Sequence, residues 1–111
     1  MDKRTVRLEG NDGRRLELTV HGGHAMARVG DAEAFPFNYE HMAYVARGMG
    51  YQAWGGGSHM AFRRDGAGVV VEFQGPGDRH VTMRRLSEDE LRSAIDALDA
   101  LAPSDPRASV F

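Results

Sequence analysis

A chain of 111 residues with 41% hydrophobic and 27% charged side chains is sized for one globular core and leaves no room for a second. Its net charge of −2 excludes a global basic signature, and the lack of cysteine excludes disulfide and thiol chemistry. No apolar run approaches the ~20 residues of a membrane span.

The charge is unevenly placed. Residues 1–86 hold twelve Lys and Arg against ten Asp and Glu, whereas residues 87–111 hold two against six. All five histidines fall in the first part. A cysteine-free chain suits a reducing cytoplasm. Met1-Asp2-Lys3-Arg4 leads into a strand pattern and not into the apolar core of a signal peptide. The expectation is a cytoplasmic protein with no membrane association and no cofactor.

Val6 and Leu8 alternate with Thr5, Arg7 and Glu9, the pattern of a half-buried strand. Asn11-Asp12-Gly13 is a short hairpin connection. It sets Leu8 opposite Leu16 and Val6 opposite Leu18 on one face. On the other face it sets Glu9 opposite Arg15 and Arg7 opposite Glu17, so both faces support one register. Gly22-Gly23 closes a second hairpin, pairing His21 with His24 and Glu17 with Arg28. Phe37, Asn38 and Met42 stand as staple, N-cap and staple partner for a helix from Tyr39 to about Gly48. That helix is expected to bury Met42, Val45, Ala46 and Met49.

Residues 51–58 read as a Gly-rich connector with a short extended piece at Tyr51–Trp54. Gly57-Ser58-His59-Met60 also resembles the scar of a tag-cleavage vector, although such scars normally stand at the N-terminus. Met60 and Phe62 then alternate inward, Asp65-Gly66 turns, and Val69, Val71 and Phe73 face the same way. A last strand, His80 to Arg85, is expected to turn Val81 and Met83 inward. The best-specified element follows. Ser87 and Glu90 form a capping box, Leu86 and Leu91 a staple, and Glu88, Asp89 and Glu90 complement the helix dipole. Leu91, Ala94, Ile95, Leu98, Leu101 and Ala102 make one apolar stripe, and Pro103 ends it. The bland reading of the acidic opposite face is a solvated surface.

The expected fold is α+β: one domain over residues 1–102, with an antiparallel six-stranded sheet built from two βββα units, 3–50 and 59–102. Both helices pack on one face, and 103–111 form a flexible tail. The repeat is one of architecture and not of residues. In layout it resembles the Purα-type and Whirly-type single-strand binders, which carry four strands per repeat. No residue motif of theirs is present to carry over, and a shared layout does not imply function.

The register assigns five arginines (Arg7, Arg15, Arg28, Arg63, Arg84) and four histidines (His21, His24, His59, His80) to the sheet face away from the helices, together with Glu17, Glu72 and Thr82. Such a face suits an anion or nucleic acid. Equally, Glu–Arg pairs across strands make an ordinary solvated face. No aromatic falls on this face for bases to stack on. His21 and His24 flank one turn and make a weak metal pair, since zinc asks for three or four ligands. Gly48 to Gly57 combines five glycines with Tyr51 and Trp54 and reads either as a binding loop or as a linker. Ser58-His59 lacks the strand–elbow–helix context of a hydrolase nucleophile, and no catalytic residue is assigned.

The leading expectation is a small non-enzymatic binding or regulatory module acting through a protein partner. The alternative is a nucleic-acid-binding domain using Arg7, Arg28, Arg63 and Arg84. The third is a metal- or small-molecule-binding protein. An unpaired edge strand would give a route to a homodimer.

Overall fold

The computed structural model describes residues 3–99. Its elements in chain order are β1 (Lys3–Glu9), β2 (Arg15–His21), β3 (His24–Val29), β4 (Phe35–Pro36), α1 (Tyr39–Ala43), a 3₁₀ turn (Tyr44–Arg47), β5 (Tyr51–Gly55), β6 (Ser58–Asp65), β7 (Gly68–Gln74), β8 (Thr82–Ser87) and α2 (Glu88–Asp99). The fold is α+β and antiparallel. It contains two four-stranded sheets, ordered β1-β2-β3-β4 and β5-β6-β7-β8, rather than one of six strands. Each unit is four strands and a helix. The end of the helical stripe at Leu101 and Ala102, the stop at Pro103 and the tail lie outside the described residues.

Both hairpins of the first sheet have the register that charge and apolar pairing dictate. Leu8 faces Leu16, Val6 faces Leu18, Arg7 faces Glu17, and His21 faces His24 across Gly22-Gly23. The extra strands are the two that sequence patterning hides. β4 is only two residues long and contains Pro36. It sits at a sheet edge, where the missing N–H costs no ladder bond. β5 is the supposed connector. Its glycine tract is a hairpin turn at Gly56-Gly57, with both residues at positive φ. Met60 of the Gly57–Met60 segment is fully buried and pairs with Phe73 and Ala53, so this stretch is integral to the core.

The two sheets wrap one core. Leu16, Leu18 and Val29 come from the first, Met60, Phe62, Val71 and Phe73 from the second, and Met42, Val45, Leu91 and Leu98 from the helical segments. The sheets meet along two seams. At one, Phe35 of β4 lies where a Cβ on Gly55 of β5 would stand, 2.7 Å from the Phe35 Cβ, so only glycine fits there. At the other, the β1–β2 turn closes on β8. The Asn11 amide donates to the Met83 carbonyl (3.0 Å), and the Met83 amide donates to Asn11 Oδ1 (3.3 Å). Here α2 packs against both β1 and β8. α2 therefore closes a seam between two sheets, and the expected pair of helices on one face of a single sheet is not formed.

Both helix starts form as their sequences require. Asn38 Oδ1 accepts from the Glu40 and His41 amides (3.0 and 3.2 Å). At α2 the Ser87 hydroxyl accepts from the Glu90 amide (3.0 Å), and Glu90 Oε1 accepts from the Ser87 amide (3.1 Å). Leu86 and Leu91 are both buried beside this cap. Met49, expected inside, is exposed, because the helix has by then narrowed to a 3₁₀ turn and stopped at Gly48.

One strand has the opposite face inward from the expected one. On β8 it is Thr82 and Leu86 that are buried, and Val81 and Met83 stand exposed. Thr82 pairs with Phe73, Arg84 with Val71 and Leu86 with Val69, all inward positions of β7. The buried threonine is satisfied: its hydroxyl donates to Asp12 Oδ2 at 2.7 Å. A single polar group with a partner is tolerable there, whereas exposing Leu86 would forfeit about 2 kcal/mol of burial.

These face assignments predict the response to aspartate. Leu18→Asp, at a fully buried site, should lower unfolding free energy in urea by more than about 4 kcal/mol, while Thr19→Asp should cost less than half as much. Equal losses would mean the faces of β2 are misassigned.

Candidate functional site

The outward face of the first sheet is laid down by β1, β2 and β3. Glu17 stands between Arg7 and Arg28 in one cross-strand row, 2.9 Å from Arg7 Nε and 3.1 Å from Arg28 Nη2. The two guanidiniums, Arg7 first and then Arg28, hold its carboxyl below the usual glutamate range. Thr5 and Thr19 lie beside each other one row further on. His21 and His24 are direct partners at the hairpin tip and both are exposed. His59 and His80 belong to the other sheet and its loop, so neither joins that pair. No group of three His, Cys, Asp or Glu with metal-holding geometry occurs among the described residues.

The second sheet's outward face carries a different surface. The ladder places Trp54, His59 and Gln74 in one row, Gln52, Ala61, Glu72 and Met83 in the next, and Arg63, Val70 and Arg85 in the third. Four strands at their usual spacing make this platform roughly 14 Å across. Trp54 is 68% exposed and stands at one edge; Met83 (41%) and Val81 (44%) stand at the other. Between them lie His59, 3.5 Å from Gln52 Oε1, and Arg63, which donates twice to Glu72 Oε1 (3.1 and 2.9 Å). Arg85 is paired with Asp65. Exposed pairs of this kind contribute roughly 0.2–1 kcal/mol each, so they shape the face more than they stabilise it.

The six binding residues expected from sequence are thus dispersed. Arg7 and Arg28 share the first sheet, and Arg63 and Trp54 share the second. Arg84 leaves the face altogether: it donates to the Glu9 carbonyl (3.0 Å) and to Glu90 (3.1 Å), tying β8 to β1 and α2. Tyr51 faces inward. Its hydroxyl accepts from the Asn38 amide at 2.6 Å, and its ring packs near Phe62 and His41. The Tyr51–Trp54 segment is a strand, so alternation sends its two aromatics to opposite sides. Trp54 therefore puts an aromatic on a sheet face where none was expected. Met83 and Arg85 were missed on that face, and Thr82 and Arg84 were wrongly placed there. The signal that could have found them is Leu86: as the staple of α2 it must point inward, which fixes the parity of Arg84 and Thr82.

No family model, no curated protein and no solved structure matches this chain.

Depressed carboxyl groups predict acid sensitivity. Glu17 is held down by its arginines, Asp12 by the Thr82 hydroxyl and then the Arg14 amide, and Glu90 by the Ser87 amide and then Arg84. In each case the unfolded chain binds the proton more readily than the folded one. Their contribution is complete above the ordinary carboxylate range and is lost as pH falls through the folded values. Unfolding free energy should therefore decline below about pH 4.5, the ordinary glutamate value, and Glu17→Gln should flatten part of that decline in urea titrations at several pH values. An unchanged slope would show that Glu17 has no such partners in solution.

Proposed function

We propose that this chain is a small non-enzymatic binding module that acts through a protein partner, with the outward face of the second sheet as the contact and Trp54 as its anchor. The observation that carries the reading is Trp54 itself, a large indole left 68% exposed on a strand whose inward neighbours are packed. Trp, Met and Arg are the residue types enriched at protein interfaces, and an anchoring Trp is commonly worth 2 kcal/mol or more of binding. The charges around it favour a protein over a polyanion. Arg63 and Arg85 are each matched by a carboxylate of the same sheet, which leaves a balanced rim around apolar ends. Capture of a partner from lysate should fall at least tenfold with Trp54→Ala and persist with Arg28→Glu. Trp54→Ala should also change stability by less than about 1 kcal/mol. Capture indifferent to Trp54 would contradict the assignment.

The second reading is a nucleic-acid-binding domain, and the same indole favours it, because sheet platforms for single strands stack bases on aromatic rings. Arg7, Arg28, Arg63 and Arg84 would supply the cations. All four already contact carboxylates, so tracking phosphates would mean exchanging those partners. A labelled mixed-sequence single-stranded oligonucleotide decides. Binding at low salt that weakens several-fold at moderate salt supports this reading, and no binding at low salt removes it.

A further inference from the structure

β1 and β8 are the outer strands of their sheets at the seam that α2 packs against. Their ladders fix which backbone groups point outward. The Gly10 amide donates to the Arg14 carbonyl across the first hairpin, so Leu8, Val6 and Arg4 direct their backbone groups to β2, and Thr5, Arg7 and Glu9 direct theirs away. On β8 the groups of Met83, Arg85 and Ser87 point outward, in agreement with the Met83 carbonyl accepting from Asn11. Several of these are used. The Glu9 carbonyl accepts from Arg84, Met83 exchanges bonds with Asn11, and the Ser87 amide donates to Glu90. The outward amides and carbonyls of Thr5, Arg7 and Arg85 have no partner among the described residues.

Beyond the point where Arg84 bridges them, these edges border an open groove of about 460 Å³. Its apolar lining is Val6 and Leu8 of β1, Leu86 of β8, and Ala94 and Ala97 of α2, whose short side chains leave the space. Arg7, Arg84, Asp89 and Glu90 supply its charged lining, two of each sign.

We infer that this groove receives an extended segment of a partner polypeptide, which adds to β1 as a fifth strand of the first sheet. The occupant follows from the bonding pattern. Thr5 and Arg7 repeat their donor and acceptor every second residue, about 6.8 Å apart, and an extended backbone matches that spacing. The floor asks for an apolar side chain at every second position of the segment. The site is separate from Trp54 and stands whether or not that face binds a protein.

Selection of random linear dodecapeptides displayed on phage against the intact chain provides the test. Enriched peptides should alternate apolar residues, and on binding the Thr5 and Arg7 amides should gain protection from hydrogen exchange. Thr5→Pro removes an outward amide at an edge position that tolerates proline, and should weaken binding at least tenfold, with Thr5→Ala within about twofold of the parent. No enrichment, or equal binding by Thr5→Pro, overturns the inference. So does protection of the same amides in the concentrated protein alone, which would assign the groove to a second copy. If Thr5→Pro does not fold, the exchange measurement on the unaltered chain decides in the same terms.

Discussion

Leu16 and Leu18 from one sheet and Met60, Phe62, Val71 and Phe73 from the other are buried in the same cluster, and the whole molecule depends on that sharing. A four-stranded sheet with one apolar face has nothing to cover it in a chain of this length except the other sheet. The two halves therefore have to wrap a common core, and the helical segments contribute Met42, Val45, Leu91 and Leu98 to what remains open. Inward and outward faces are then fixed for every strand, because a slip of one residue would send a leucine row to water. The surface chemistry is a consequence. Arg7, Glu17 and Arg28 share a row, and Trp54 is outward, because their neighbours in sequence are committed to the core.

The same constraint divides the arginines by role. Three on outward rows meet carboxylates on neighbouring strands: Arg7 and Arg28 meet Glu17, and Arg63 meets Glu72. Arg84 has inward parity on an outer strand, so its side chain reaches across the seam to β1 and α2. It holds the two sheets and α2 together at the point where the edges diverge. Past these contacts and the Asn11–Met83 pair, the outward backbone groups of Thr5, Arg7 and Arg85 have no partner among the described residues.

Much of this was legible in the amino-acid order where two kinds of signal coincide. The first two hairpins read correctly because leucines pair on one face and Glu–Arg pairs form on the other, with glycines at the turns. The helix starts read correctly because Asn38 and Ser87 offer their side-chain oxygens where free amides need them. The failures have equally physical causes. Phe35–Pro36 is too short for a period to show, and its proline argues against a strand unless the edge is known. Tyr51–Gly55 runs into three glycines and looks like a linker until its ladder with β6 is seen. Val81 and Met83 outrank Thr82 and Arg84 in hydrophobicity, yet the parity of β8 is set by Leu86. The candidate site carries the same errors: the sequence reading leaves Trp54 off the sheet, and it sets Arg84 on the wrong side of it.

The chain contains a single tryptophan, so its fluorescence reports on Trp54 alone. Emission and iodide quenching of the folded protein, compared with the urea-unfolded chain, test directly whether this ring stands in solvent on the outward face of the second sheet. The account predicts an emission maximum close to that of the unfolded chain and quenching nearly as efficient in both states. A strongly blue-shifted emission shielded from iodide would place the indole in the core, and the parity of β5 and the binding face built on it would both be wrong.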